Sequence, residues 1–513
     1  MKISTTRFLF ALTVAWGCLI FWFAPHPPMV DLPQHAGQIV LLRDMLLGQC
    51  SWSDFFRINL FTPYLIGYGL ALPLSLILPV ATALKVMLSL AYIAFVSMSV
   101  KLRKHFGADE RLDWWFVLSF FGFACQWGFF TFLVAAPVGL LFILVSDRYA
   151  RDQTNAKALG TLAVGLVLLV SHGLVFLFGL LIFFAFLLAR ARNLRALVVG
   201  AWPFFILVVM CGIYFLISQK NNAGLNFPSK ITWAFGSYNL LGFGKILKAL
   251  AFSVSISFTS LRGISLIVQL CAILILIGSP WIWGLRINPR NLPSWIPFGI
   301  VMLIIVIVPS FALSTSFLYE RFALFLFPAY AWMFAGATDS TRPAVNAGIA
   351  AKAVMPLLIL CCWANLTLHA CDAWKFGKET APFDEIVSSL KPGKRALALI
   401  FDTDSKAASN PVVYDHYAVW YQAEEKGLVD FNFAWFPPQI VRFKLDHLPA
   451  VRPSFEGESS EFSWVKSRGD DYHYFFVRSA KPVPGDFFKG ASCSPKLIAE
   501  TGMWSVFENL PCV

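Results

Sequence analysis

The chain has 513 residues, of which 58% are hydrophobic and only 14% charged, with a formal net charge of +12. An ordinary soluble domain carries about a quarter charged residues, so most of this surface is built for lipid and a soluble globular fold is excluded. Much of the excess Lys and Arg lies in short links between apolar runs, which makes the charge a record of topology and leaves no expected nucleic-acid partner.

From the start, Lys2 and Arg7 precede an apolar run over Phe8 to Ala24. It is long and ends in aromatics instead of an Ala-x-Ala site, so a retained first helix is expected, not a cleaved signal peptide. The next segment, Pro25-His26-Pro27-Pro28-Met29-Val30-Asp31-Leu32-Pro33-Gln34-His35, opens a helix expected over Ala36 to Leu47 and closed by Gly48. Prolines on both sides stiffen the backbone and hold Asp31 near the membrane surface, with His35 four residues on. Two readings of Asp31 stand open: a residue that caps the following turn, or a carboxylate that takes a proton from an acceptor hydroxyl while a lipid tail stays in the bilayer.

Basic links then mark one side of the membrane: Lys2 and Arg7, Lys101-Arg103-Lys104, Arg148 with Arg151 and Lys157, Arg190-Arg192-Arg195, Arg286 with Arg290, and Arg342 with Lys352. Between them the apolar runs predict helices near 8–24, 84–100, 114–128, 129–146, 157–171, 173–190, 196–218, 263–285, 295–313, 319–337 and 346–368. The stretch 158–189 is read as a tight outer hairpin broken at Ser171-His172-Gly173. Phe61 to Val80, with Pro63, Pro73 and Pro79, is read as an interfacial or re-entrant element, because a full crossing there would put Lys101 to Lys104 outside. Trp114-Trp115 and Gln126-Trp127-Gly128 read as interface anchors. Lys220 to Arg262 forms a second outer loop.

After Cys371, charged and turn-forming residues return and no run is long enough to span. The expected organisation is therefore a transmembrane domain, 1–371, with its first outer loop at 25–60, and an extracytoplasmic domain, 372–513. In the latter, Ala396 to Phe401, Tyr472 to Val477 and Lys496 to Phe507 read as strands, and Phe383 to Leu390 and Tyr414 to Glu425 as helices. The fold class is thus an α-helical polytopic membrane protein of about 11 transmembrane helices plus one interfacial or re-entrant segment, ending in a small α/β soluble domain. Asp402 and Asp404 have the look of a metal pair but also of an ordinary polar turn after a strand. A disulfide between Cys493 and Cys512 is open, since both fall in the outer domain.

The first helix, the outer loop with an early acid, the helix Gln38-Ile39-Val40-Leu41-Leu42-Arg43-Asp44-Met45-Leu46-Leu47-Gly48, the Pro- and Tyr-bearing segment and the helix ending in Lys101-Leu102-Arg103-Lys104-His105-Phe106-Gly107 together resemble the C-type superfamily of polytopic glycosyltransferases. The resemblance implies a sugar donor on a polyprenyl phosphate, a lipid or glycan acceptor outside the cytoplasm, and a catalytic Asp in the first outer loop. That superfamily often pairs the Asp with an adjacent acid; this chain offers Asp31 alone, which leaves a divalent cation an open question. With eleven crossings and the N-terminus inside, the C-terminal domain of this integral inner membrane protein emerges on the outer side, the periplasm in a Gram-negative bacterium, and the chain contacts membrane lipids.

The residues assigned on this reading are Asp31 and His35 as catalytic, and Arg43, Asp44, His172, Glu320, Arg321 and Arg262 as substrate-binding. Cations at the outer face suit a leaving phosphate, with Arg321, Arg262, Lys245 and Lys248 the candidates. The structural alternatives are a Glu320–Arg321 pair, snorkelling lysines and a His172 that satisfies a carbonyl. A transporter or flippase and an envelope-assembly scaffold are the competing functions.

Overall fold

The computed structural model describes residues 5–221, 231–232, 248, 251, 253–254, 264–287, 289, 291–312, 315–335, 349–452 and 455–510. Most of these are helical, and six helices are long and apolar enough to cross a membrane. The chain divides into two compact units: Met1–Ile20, Leu88–Gln126 and Thr131–Cys371 form the first, and Phe21–Met87, Trp127–Phe130 and Asp372–Val513 the second.

The first unit is helical. It holds α1 (Thr5–Leu19), most of α4 (Val80–Phe106), α5 (Trp114–Ser119), α6 (Phe123–Trp127), α7 (Phe130–Arg151), α8 (Asn155–Leu169), α9 (Gly173–Arg190), α10 (Leu194–Gly200), α11 (Trp202–Asn221), α12 (Ile264–Ile282), α13 (Ile296–Ile307), α14 (Ala323–Ala331) and the first half of α15 (Ile349–Ser389). Small residues let helices close: a methyl added to Gly17 would lie 2.4 Å from the Tyr92 hydroxyl, and one on Gly165 would lie 2.7 Å from Leu207. On α11, by contrast, Phe205, Val209 and Leu216 are exposed, as a lipid-facing helix requires.

The basic links come together at one end of this unit. Arg7 pairs with Glu110 at 3.3 Å, Arg103 grips Asp113 with two bonds of 2.9 and 2.8 Å, and Arg286 sits opposite Ala335 in a two-residue ladder. Asp147, fully buried near the end of α7, accepts bonds from His105 on α4 (2.7 Å), Arg151 (3.2 Å) and Arg190 at the end of α9 (2.9 Å). Three helix C-termini therefore share one carboxylate, which also suits their dipoles once the cations lie beside them. The hairpin at 170–172 between α8 and α9 lies where the sequence reading put it.

Three segments differ from expectation. The run 114–128 is two short helices broken at Phe120-Phe121-Gly122, because Trp114 and Trp115 are core residues and not interface anchors: Trp115 stacks on Tyr330 at 5.4 Å. The run expected over 319–337 contains a helix of only nine residues, with Pro328 inside it. The helix expected to stop at 368 runs on to Ser389, 41 residues in all from Ile349.

The second unit is built on a mixed five-stranded sheet, β1 (Phe56–Ile58) being outside it. Its strands are β2 (Arg395–Ile400), β3 (Leu428–Val429), β5 (Tyr474–Arg478), β6 (Lys496–Thr501) and β7 (Trp504–Glu508), in the order β6-β7-β5-β2-β3; β4 (Val441–Phe443) pairs instead with β1. The pairs of β2 with β3 and β5 are parallel, the others antiparallel. Alternation along β2 and β5 splits the side chains between two faces. Leu397, Leu399, Phe475 and Val477 join a core with Trp464, Tyr472 and Phe488, while Phe476 meets Phe383 of α15 and Tyr421 of α16 (Trp420–Glu424) on the other side. The single strand expected over Lys496 to Phe507 is a hairpin, since Gly502 at φ +57° lets the chain turn in two residues.

The helix α2 (Leu32–Leu46) belongs to this unit, as does α3 (Leu65–Ile77). α2 starts at Leu32 with Pro33 in its first turn, where a missing backbone N–H costs nothing. Far from lying half-exposed, α2 buries Gln34, His35, Gln38 and Asp44 along with its apolar residues.

Candidate active site

The site grows from the chain between α1 and α2. His26 is buried and stacks on Trp420 at 4.0 Å; its Nε2 lies 2.8 Å from Glu424, and its Nδ1 lies 3.2 Å from both Asp384 and the Tyr417 hydroxyl. Burial alone pulls an imidazolium down, but the bonds to Asp384 and Glu424 outweigh it and hold His26 up at about 9, so it is charged at neutral pH. This clamp ties the loop to α15 and α16. Further along, Gln34 and Gln38, one turn apart on α2, accept the backbone N–H of Phe433 (2.9 Å) and of Val441 (3.0 Å). Between them Gly37 leaves room for Gln422, whose amide nitrogen would be 2.8 Å from an added methyl.

Asp31 stands at the N-cap position of α2, yet its side chain makes no capping bond. The capping reading of this acid is therefore set aside. Its backbone is fixed from both sides: Asp31 N donates to Trp127 O at 2.8 Å, and Asp31 O accepts from His35 N at 3.1 Å. Gly128, at φ +79°, lets the 127–130 segment pass so close that a methyl there would be 3.0 Å from Leu32 N. The Asp31 carboxylate is 8% exposed overall and lies 3.4 Å from Nε2 of His416. Asp415 is the neighbouring residue. Burial pushes its carboxyl up to about 6, with His416 opposing the rise and Asp31 adding to it.

His35 is directed elsewhere. Its Nδ1 lies 2.7 Å from the hydroxyl of Tyr68, which in turn donates to Gln439 Oε1 at 2.6 Å. Because the single hydroxyl proton goes to Gln439, Nδ1 of His35 donates to the Tyr68 oxygen. Arg43 and Asp44 bond each other (2.8 Å); Arg43 also donates to Ser75 O (3.1 Å) and Lys426 lies 3.8 Å from Asp44. Asp402, offered as half of a metal pair, bonds through its carboxylate to the backbone N–H of Ala480 at 2.6 Å, and the carbonyls of Asp402 and Asp404 both accept from Arg478. Among the described residues no cluster of three His, Cys, Asp or Glu side chains is arranged to hold a metal ion.

No family model matches the chain, and no curated protein matches it. Among solved structures, the arabinofuranosyltransferase AftD from Mycobacteria is similar over 99% of this chain and 42% of its own length, with 12% identity and a TM-score of 0.47. The chain spans less than half of that protein.

The remaining candidates lie in the first unit. His172, buried at the start of α9, packs its ring edge against Phe132 at 5.3 Å. Glu320 accepts from Ser310, and Arg321 donates to the carbonyls of Phe317 (3.2 Å) and Ser316 (2.9 Å). Arg262 and Lys245 lie outside the described residues, and Lys248 is exposed. Cys493 is disulfide-bonded, while Cys512 lies outside the described residues. Sequence reasoning missed His26, Tyr68, Asp415 and His416. His26 sat in the Pro-rich run that drew attention to Asp31; Asp415-His416 sits in a stretch with no motif and is brought to Asp31 only by folding.

Proposed function

We propose that this chain is a membrane glycosyltransferase that moves a sugar from a polyprenyl-phosphate donor to an extracytoplasmic lipid or glycan acceptor, with Asp31 as general base. The observation that carries this reading is a carboxylate at the N-cap of a buried helix that makes no capping bond and faces His416 instead. An acid placed so takes the proton of an acceptor hydroxyl as its oxygen bonds to the anomeric carbon; the bond from that carbon to the phosphate breaks, and the polyprenyl phosphate leaves with the electron pair. His35, oriented by Tyr68, is assigned to the catalytic set with Asp31. Arg321, with Glu320 beside it, is assigned to the donor phosphate, and His172 to substrate binding. Arg43 and Asp44, bonded to each other, serve the fold of α2.

The topology that goes with this reading has eleven crossings with the N-terminus inside. In support, Arg7 in the first turn of α1 and Arg103 in the last turn of α4 meet the same 109–113 link, so an even number of crossings separates them, and α1 and α4 account for two. The segment 61–80 then dips into the membrane without crossing it. Loop 25–60 and residues 372–513 fold in one unit and thus share one side, the periplasm of a bacterial inner membrane on this reading. Residues 1–371 form the membrane domain and 372–513 the outer domain.

The test uses purified chain in proteoliposomes with a panel of radiolabelled polyprenyl-phosphate sugars, arabinofuranosyl, mannosyl and glucosyl among them, and a lipid extract as acceptor source. Transfer from at least one donor is expected; no transfer from any would shift the reading to a flippase, scored by donor translocation in the same vesicles.

A further inference from the structure

We infer that Asp415 and His416 complete the acid site that Asp31 opens, His416 as the positioning residue that aims the Asp31 carboxylate and Asp415 as the second acid that the first outer loop lacks. This rests on the glycosyltransferase reading for its chemistry, but the arrangement itself stands on geometry. Nε2 of His416 is 3.4 Å from Asp31 Oδ1, and both side chains are about nine-tenths buried. The imidazole is held in place by Phe431, stacked at 5.7 Å, and by the edge of Phe433 at 6.0 Å.

The turn that carries the two residues is itself anchored. On one side Tyr414 donates to Glu379 at 3.0 Å and lies under the Arg478 guanidinium at 3.8 Å. On the other, Tyr417 donates to Asp384 at 2.8 Å. Asp415 N–H closes the turn on Val412 O at 3.1 Å, so the backbone between the two tyrosines has little freedom. A cavity of about 10 Å³, room for about one water, opens between Gln34, Asp415, His416 and Phe431. The titratable groups grouped here are His416 and Asp415 from the turn, His35 on α2 and Tyr68 on α3, with the His26, Asp384 and Glu424 clamp beyond them.

Two acids and a histidine so placed divide the labour of a base. The imidazole fixes the carboxylate that receives the proton from the acceptor hydroxyl. The second acid, whose burial and whose neighbour Asp31 favour its protonated form, can accept a hydrogen bond from the acceptor or donate one, according to pH. No sequence motif links Asp31 to His416, because the two are 385 positions apart and meet only in the folded unit.

The experiment uses the full chain in lipid nanodiscs and dicyclohexylcarbodiimide, which modifies protonated carboxyls, with the modified residues read by peptide mass spectrometry between pH 4.5 and 8. Asp415 is expected to be half-reactive near pH 6. In Asp31→Asn its curve moves to lower pH by about 1, and in His416→Gln to higher pH by a similar amount. An Asp415 curve that is the same in all three chains overturns the inference. Thermal unfolding of each variant checks folding; should Asp31→Asn not fold, Asp31→Ser replaces it, and the His416→Gln arm stands alone. The acid limb of any transfer activity should move with the labelling curve. Shifted labelling without transfer by the wild type would keep the acid site and remove the glycosyltransferase reading; transfer without shifted labelling would do the reverse.

Discussion

Asp147 in the first unit and Asp31 in the second are both buried carboxylates, and they are treated in opposite ways. Asp147, with no exposed surface, is surrounded by His105, Arg151 and Arg190 at 2.7 to 3.2 Å. Asp31 meets a histidine at 3.4 Å and a second acid as the next residue along. A carboxylate inside a low-dielectric site is affordable when cations surround it, and breaking such a set is costly. The fully matched acid holds three helix ends together; on the proposed reading, the acid facing His416 is the one kept for proton transfer.

If that contrast is right, the two sites fail differently when the charge is removed. Asp147→Asn leaves Arg151, Arg190 and His105 facing a neutral amide and should cost about 3–5 kcal/mol, seen as a loss of folded, monodisperse protein in detergent. Asp31→Asn should leave thermal unfolding nearly unchanged while transfer falls by roughly 10²–10⁴, the usual worth of a general base. A variant pair in which both lose stability equally would erase the distinction.

The His26 clamp sharpens the comparison, being a matched set within the same unit as Asp31. A histidine raised from 6.5 to about 9 adds stability that is complete below pH 6.5 and is lost as pH climbs through 9. His26→Phe should therefore lower stability by about 2–3 kcal/mol at pH 6 and flatten the decline between pH 6.5 and 9, measured by thermal unfolding across that range. Gly128→Ala tests the backbone around Asp31: a side chain at φ +79° and 3.0 Å from Leu32 N should cost about 1–2 kcal/mol and lower transfer by displacing the carboxylate. Smallest is Gln38→Ala, which leaves the Val441 N–H without its acceptor and should cost about 1 kcal/mol with transfer little changed.

Much of the helical unit was legible because its signals are local. Basic links between apolar runs announced which helix ends lie together, and Arg7, Arg103, Asp147 and Arg190 do meet at one end. Ser171-His172-Gly173 announced a turn. Where tertiary packing overrode composition, sequence reasoning failed: Trp114 and Trp115 looked like interface anchors and are core, and α15 runs on past the change in composition at 371 because its second half has the sheet to pack against. The candidate site was half legible. Prolines around Asp31 and its place after an apolar helix are visible in one stretch of chain, whereas His416 and Asp415 carry no periodicity or spacing that links them to it. Tyr68 was hidden in a segment valued only for its apolarity, and it is what turns His35 away from Asp31.

The most direct test is the initial rate of labelled-sugar transfer by wild type, Asp31→Asn and Asp147→Asn, each normalised to the folded fraction measured in the same vesicles. Asp31→Asn at least 100-fold slower per folded molecule, with the folded remainder of Asp147→Asn near the wild-type rate, is the predicted result. Equal rates per folded molecule in wild type and Asp31→Asn would contradict the assignment of the base and, with it, the central reading of this site.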